Sequence, residues 1–478
     1  MGLGGGGTSY ITDYEALFIN PANLQIREKN HRVQMTLGES GAYFDTPLRI
    51  NDGRERISLF VDTFRMPIPD DYMFEADERQ LLLERYYNGN KTTRELRSGS
   101  VINWLGIKWY GKERSYAFAV RTRQSSRYAV GRGFYDPQPV ESNELQVIDR
   151  SLTHRYQMLN EFSFGYSESF SFLSGLFPRT AQFIIGIAPK VVVSGSDYST
   201  RFSDRYTRES ADDPWLRESS FSYESSGIFT DYADRLAAGG NPIDEFGRIS
   251  RLEDLLDPTG IGAAIDVGVT YLFTFGDDLS VIRRGEEPTE KSLRLSFSVT
   301  DLGLIHTFND PFSATSAEIE TESPEAGSLS EQYYAGALLQ DFSFLDGAIN
   351  GMHPLETVTE IERSSGQSLL PTSLQTGILF QINRIKMMGD FRLGLTDNAF
   401  HSRKLTTYIG TEIRPLPFLP LRAGTRLATD LPGYYSFGAG IETAYFDINA
   451  GVQFRSTASG PTLEPVAASA VAVKFYIP

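Results

Sequence analysis

Cysteine is absent from the 478 residues, which excludes disulfides, cysteine metal sites and thiol catalysis. No run of about eighteen apolar residues occurs, so no segment reads as a transmembrane helix. The longest apolar bursts, such as Phe183 to Ala188, have the length of a strand. Basic residues are in short supply, 45 Lys and Arg against 61 Asp and Glu, for a net charge of −16. Nucleic acid is therefore not an expected partner, because phosphate binding needs a basic face. An N-terminal basic segment followed by an apolar core is also missing from Met1 to Gly7. We read this as a start from which an export signal has been removed.

The five histidines, His31, His154, His306, His353 and His401, lie far apart, without metal spacing, and are expected in loops. The acidic pairs Asp70-Asp71, Asp212-Asp213 and Asp277-Asp278 have no EF-hand spacing and read as solvated loop charge. Gly2, Gly4 and Gly7 match G-x-G-x-x-G, but no strand precedes them, so a nucleotide loop is not expected. No G-x-S-x-G element, Walker loop or zincin helix is present. We therefore expect neither an enzyme nor a cofactor.

What the chain does have is alternation. From Tyr434, the set Tyr435, Phe437, Ala439 and Ile441 alternates with Ser436, Gly438, Gly440 and Glu442. From Phe446 the parity flips: Phe446, Ile448, Ala450, Val452 and Phe454 alternate with Asp447, Asn449, Gly451, Gln453 and Arg455. A flip without a spacer is a hairpin with a turn of about two residues and one continuous apolar face. A soluble sheet with one wet face and the wall of a membrane barrel both fit this hairpin.

The rest of the chain favours the barrel. About fourteen strand candidates recur, near the ten residues or so that a tilted membrane strand needs. Arg294, Glu412, Arg414, Arg422, Arg426, Glu442, Asp447, Asn449, Gln453 and Arg455 all fall on the faces opposite the apolar ones. A soluble sandwich would have to solvate all of these on one side, whereas in a barrel they face the lumen and pair across it. Twelve per cent of residues are aromatic, which suits interfacial girdles.

Two long stretches break the pattern, 195–262 and 305–368, and read as acidic, Ser-rich inserts, with helical character around Asp231 to Ala238 and Ile249 to Leu256. A further helix is expected over Glu75 to Tyr87 and a strand over Ile57 to Phe64. Residues 1–30 read as a compact arm without strands, and residues 31–478 as the barrel.

The arm carries Asp13-Tyr-Glu-Ala-Leu-Phe-Ile-Asn-Pro-Ala-Asn-Leu24. This resembles the N-terminal plug motif of the long-chain fatty-acid channel superfamily, with the Asn-Pro-Ala element at Asn20, Pro21 and Ala22. Val101 to Arg123, Ala264 to Phe273 and Val299 to Gly303 resemble a poorly characterised group of outer-membrane barrels within that superfamily. The resemblance implies an all-β membrane protein, an antiparallel transmembrane barrel of about fourteen strands with an N-terminal plug. It implies the bacterial outer membrane as location and outer-membrane lipid as surroundings. Asn20, Pro21 and Ala22 would serve as plug and gate for an amphiphilic or hydrophobic ligand in the lumen. The superfamily also includes the shuttle barrel of type IX secretion. That implies an alternative, a sealed barrel serving as scaffold or secretion partner through its long loops. Two features depart from the pattern: the size of the inserts, and Pro478 in place of a terminal aromatic.

Overall fold

Strands that alternate apolar and polar residues bury their backbone polar groups only by pairing on both sides. In lipid this requires a closed barrel. The computed structural model shows that closure. It describes residues 2–28, 31–44, 92–111, 113–134, 144–170, 181–238, 257–275, 291–308, 366–428, 431–456 and 463–477. It also describes 83, 87, 136, 138–142, 311–315, 319–323, 326 and 360–363.

Fourteen antiparallel strands form the wall: β1 (Val33–Phe44), β2 (Thr93–Tyr110), β3 (Arg114–Gly131), β4 (Leu152–Phe170), β5 (Ala181–Ser194), β6 (Gly260–Thr274) and β7 (Lys291–Thr307). They continue with β8 (Ser373–Ile382), β9 (Ile385–Gly394), β10 (Leu405–Leu416), β11 (Leu419–Ala428), β12 (Leu431–Glu442), β13 (Phe446–Ser456) and β14 (Leu463–Ile477). Each pairs with its neighbours in sequence, and β14 pairs back onto β1, Val33 opposite Ile477. Closure leaves the wall no free edge.

The hairpin at 434–455 has the register the parity flip requires: Tyr435 opposite Phe454, Phe437 opposite Val452, Ile441 opposite Ile448. Thr443 N donates to Phe446 O at 2.9 Å, so Ala444 and Tyr445 form the two-residue turn. The turn between β8 and β9 is equally short, and Asn383 adopts the left-handed conformation (φ 50°) that asparagine tolerates there. Along β12 and β13 the outward aromatics and aliphatics are close to half exposed, while Ser436, Asp447, Gln453 and Arg455 are buried inside. Trp109, Tyr116, Phe380, Phe418, Phe446 and Phe475 form an exposed aromatic ring near one end, as at a membrane interface.

The two ends differ. Four short hairpins lie at one of them, the turn end, after β2, β8, β10 and β12. The long inserts both emerge at the other, the loop end. There the second half of the sequence pattern needs correction. The stretch 195–262 contains two strands, Asp197–Arg208 and Trp215–Ser226, paired to each other along their whole length. The first also pairs with the loop-end part of β4 (Leu152 opposite Phe202), which extends the wall into a protruding sheet. Pieces of the 305–368 insert, Phe312–Thr315 and Ile319–Ser323, add to its far edge. The signal is there in retrospect: Tyr198, Thr200, Phe202, Asp204 and Tyr206 alternate and are buried. Ser, Arg and Asp between and among them hide it. A helix, Ile228–Ala237, follows and packs Phe229 against Tyr156 and Tyr198.

Two histidines are strand residues rather than loop residues, His154 in β4 and His306 in β7. His154 is buried and stacks on Tyr128. The expected strand over 57–64 and helix over 249–256 lie outside the described residues. So do nearly all of the helix over 75–87, much of 305–368, His353, Pro478, Asp70-Asp71 and Asp277-Asp278.

Candidate functional site

Residues 2–28 lie inside the barrel. Two short 3₁₀ turns shape this segment, Tyr14–Phe18 and Pro21–Gln25. Asp13 caps the first, its carboxylate accepting from Glu15 N at 2.9 Å. Asn20 caps the second, accepting from Ala22 N at 3.2 Å, and Pro21 occupies the first helical position, where no N–H is needed. The Asn-Pro-Ala element is thus a helix start, and its second role is to bind the wall.

Asn20 and Asn23 are fully buried. Asn20 Nδ2 donates to Thr270 Oγ1 (3.0 Å) on β6 and to Thr8 O (3.2 Å). Asn23 Nδ2 donates to Thr8 O and Ile11 O, both at 2.9 Å, which folds the segment on itself. Ser167 of β4 donates to Ala22 O (2.8 Å), and Ser298 of β7 donates to Ile19 O (2.6 Å). The wall leaves room for this approach only because Gly186 and Gly268 lack side chains. A Cβ at Gly186 would strike the Pro21–Ala22 backbone, and one at Gly268 would strike Asn20.

The glycine run is held by a residue that sequence reasoning missed. Asp390, on the inner face of β9 and 1 % exposed, accepts from Gly7 N (2.6 Å), Thr8 N (2.8 Å) and Ser9 Oγ (3.2 Å). Gly4 and Gly5 just before it have φ of 82° and 96°, a curl open to glycine at little cost.

Most of the residues expected in the lumen gather near the turn end, around this segment. Arg422 donates to Glu412 (2.7 Å), Glu442 (2.6 Å), Asn449 (2.6 Å) and the Tyr10 hydroxyl (3.1 Å). Arg414 bridges Glu412 (2.8 Å) and Glu442 (2.7 Å), and Tyr10 donates to Glu412. Arg294 and Lys386 both grip Glu28, at 3.2 and 2.9 Å. Against the upward push of burial, these two cations hold Glu28 well below the usual carboxylate range. Asp447 accepts from Tyr476 and from Thr443 N. The structure does not bring the remaining three into this network. Arg426, Gln453 and Arg455 lie toward the loop end, with Arg426 stacked over Tyr434 at 4.0 Å.

Next along the wall the segment meets β14, β1 and β2. Lys474 pairs with Asp13 and, at 3.3 Å, with Glu15. Tyr14 donates to Glu39, and Lys108 to Thr12 O. Burial and the neighbouring Glu39 raise Glu15 to about 7.

Between the segment and the loop end lies a buried ionic cluster. Arg123 pairs with Glu161 (2.7 Å) and Asp301 (3.0 Å); Lys190 pairs with Asp266 (2.8 Å) and Asp301 (2.6 Å); Arg121 pairs with Glu161. Three cations meet three carboxylates. A bulge opposite Asp266 and the left-handed Asp301 (φ 58°) turn both carboxylates to this point. Phe18 of the segment lies 3.6 Å from the Arg121 guanidinium, and Phe400 lies 4.6 Å from that of Arg123. Phe400 belongs to residues 395–404, which fold back over the loop end. Arg127 and Arg155 hold Asp397, Ser125 donates to Ala399 O (2.8 Å), and Phe400 packs on Leu159, Val192, Ala264, Ile305 and Leu370. Among the described residues, no three His, Cys, Asp or Glu side chains are grouped to hold a metal.

Several solved structures match along nearly their whole length. A mutant of the TodX monoaromatic hydrocarbon channel matches at 12 % identity, TM-score 0.43, covering 99 % of this chain and 96 % of that one. The Ralstonia pickettii toluene transporter TbuX matches at 10 % identity, TM-score 0.39, with 100 % and 97 % covered. A Pseudomonas aeruginosa FadL homologue matches at 10 % identity, TM-score 0.41, with 99 % and 96 % covered. No curated protein matches the chain in sequence. The model of DUF5723, a family of unknown function, matches residues 65–450, and the chain belongs to that family.

Proposed function

We propose that this barrel sits in the bacterial outer membrane and passes or binds an apolar or amphiphilic small molecule, with residues 2–28 as its plug. The observation that carries the reading is the seat of the plug. Tyr14, Ala16, Leu17, Phe18 and Leu24 form one apolar cluster with Ala117, Ala119 and Ala188 of the wall. These wall positions are small, and Gly165 beside them leaves space for Leu17 and Leu24. The plug's own apolar side chains fill a smooth, apolar groove, while its polar backbone is held by hydrogen bonds. Moving Asn20, Pro21 and Ala22 off Ser167, Thr270 and Ser298 would uncover a surface suited to apolar cargo. Passage in this reading is diffusive.

The test is uptake of an apolar fluorescent compound into liposomes carrying the barrel. Phe18→Ala removes a buried ring from the seat, a change of about 3 kcal/mol or more, and should speed uptake. Equal rates for wild type, F18A and empty liposomes would sink the proposal.

A second reading has its own support. The protruding sheet built from both inserts, with residues 395–404 closed over the loop end, offers a rigid surface for another protein. A stoichiometric partner retained on deleting 2–28 and lost on trimming 197–226 would favour this scaffold role over passage.

A further inference from the structure

A cavity of about 180 Å³ lies between the N-terminal segment and the turn-end wall, with room for several waters or one small organic solute. Its carboxylates are not evenly matched. Glu442 has Arg414 and Arg422, Glu28 has Arg294 and Lys386, and Asp447 has Tyr476. Among the described residues, the corner made by Asp13, Glu15 and Glu39 has Lys474 as its cation within 4 Å, plus the Tyr14 hydroxyl on Glu39. Three carboxylates there share one ammonium at contact distance, with Lys108 and the N-terminal amine acting on Asp13 and Glu15 from further off.

A second observation is independent of charge. The Gln34 carboxamide on β1 is 2 % exposed, lines the same cavity, and has no side-chain hydrogen bond among the described residues. A buried amide without partners is costly unless something supplies them. Further along β1, opposite Glu39, Asn103 of β2 is 4 % exposed and keeps a buried Oδ1 without a donor, while the residue opposite Gln34 is the buried Lys108. The corner is rich in acceptors and poor in donors. What completes it must be small, carry positive charge and donate several hydrogen bonds. The described carboxylates do not converge as a metal site does. A primary ammonium, with three N–H donors on one compact charge, meets each requirement.

We propose that this cavity binds a small solute bearing a primary ammonium group, held by Glu15 and Asp13 of the N-terminal segment and by Glu39 and Gln34 of β1. The site is half plug and half wall, so its occupant tethers one to the other. This goes beyond the passage of apolar cargo and does not depend on it. The groups facing Glu15 are Asp13, Tyr14 and the N-terminal amine on its own segment, Glu39 on β1 and Lys474 on β14. With Glu15 raised to about 7, the site carries its full negative charge only above that pH.

The experiment uses the full chain in detergent and isothermal titration with 1,4-diaminobutane at pH 8. Tetramethylammonium, which has charge but no N–H, and 1,4-butanediol, which has neither charge nor N–H, are the comparators. One diamine per barrel is expected, with each comparator weaker by at least about tenfold. Glu15→Gln and Glu39→Gln should each weaken the diamine about tenfold, and lowering the pH to 6 should do the same. Gln34→Glu adds a fourth carboxylate and should tighten it, a gain that a misfolded variant would not give. Absence of binding by the wild-type barrel overturns the proposal. So does equal binding of the diol, or an affinity unchanged in E39Q and Q34E.

Discussion

Asp390 offers the sharpest test of how the N-terminal segment is held. It accepts two backbone N–H bonds and one hydroxyl bond from Gly7, Thr8 and Ser9, and is buried, so solvent screens little of their strength. Each backbone bond to a carboxylate contributes about 1.5 kcal/mol and the hydroxyl bond about 1 kcal/mol, for roughly 4 kcal/mol in all. Asp390→Ala removes all three and leaves two N–H groups without acceptors. The ratio of docked to undocked segment should fall by about a thousandfold. Asp390→Asn keeps one acceptor oxygen and should cost only about tenfold. Hydrogen exchange read by mass spectrometry over residues 2–28 measures the ratio directly, with the wall strands as internal control. Protection of the Gly7 and Thr8 amides that stays at the wild-type level in D390A would refute the argument. So would protection lost equally from the strands, since that would make Asp390 a residue of the wall and not an anchor.

Further outcomes follow from the charges on the segment. Glu15 stands at about 7 when docked, against an ordinary 4.5, so the docked state favours its protonated form. Docking should therefore weaken as pH rises from about 4.5 to about 7 and level off above. Glu28 is shifted the other way and weakens docking as pH falls below its ordinary 4.5. Segment protection, corrected for intrinsic exchange, should pass through a maximum, and Glu15→Gln should erase its high-pH limb while leaving the low-pH one. Glu28→Gln leaves Arg294, which is 1 % exposed, without this carboxylate, and Lys386 with Glu412 4.0 Å away. The cost is about 2 kcal/mol, given that Glu28 keeps some contact with solvent. It should appear as a lower heat-modification midpoint on gels, and an unchanged midpoint would mean the pairs add nothing.

How much of this was legible follows from the distance over which each feature is encoded. The hairpin at 434–455 is local: strict alternation of aromatics and aliphatics with Gly, Asp and Asn states both its faces and its turn. The inner faces of β10 to β13 were legible for the same reason, and with them Glu412, Arg414, Arg422 and Glu442. Asp197–Arg208 alternates just as regularly, but one face mixes Tyr and Phe with Thr and Asp. Hydropathy alone therefore does not separate it from a loop. The cluster of Arg121, Arg123, Glu161, Lys190, Asp266 and Asp301 draws on five strands, and only closure of the wall brings them together. Asp390 sits in a strand legible over Met387 to Thr396, but it acquires its partners from the opposite end of the sequence. The Asn-Pro-Ala element marked the segment that enters the lumen, while the contacts made by Asn20 and Asn23 depend on Thr270, far along the chain.

The meeting of β14 with β1 has a consequence for how the protein folds. Val33 pairs with Ile477, so the joint between first and last strands has the greatest chain separation in the wall and is the costliest to form. The N-terminal segment lies across that joint on the inside. Asp13 and Glu15 reach Lys474 of β14, while Tyr14 reaches Glu39 of β1. The segment therefore bridges the two terminal strands from the inside, like a clasp across their joint. Chains lacking it should collect as open sheets whose unpaired edges invite aggregation.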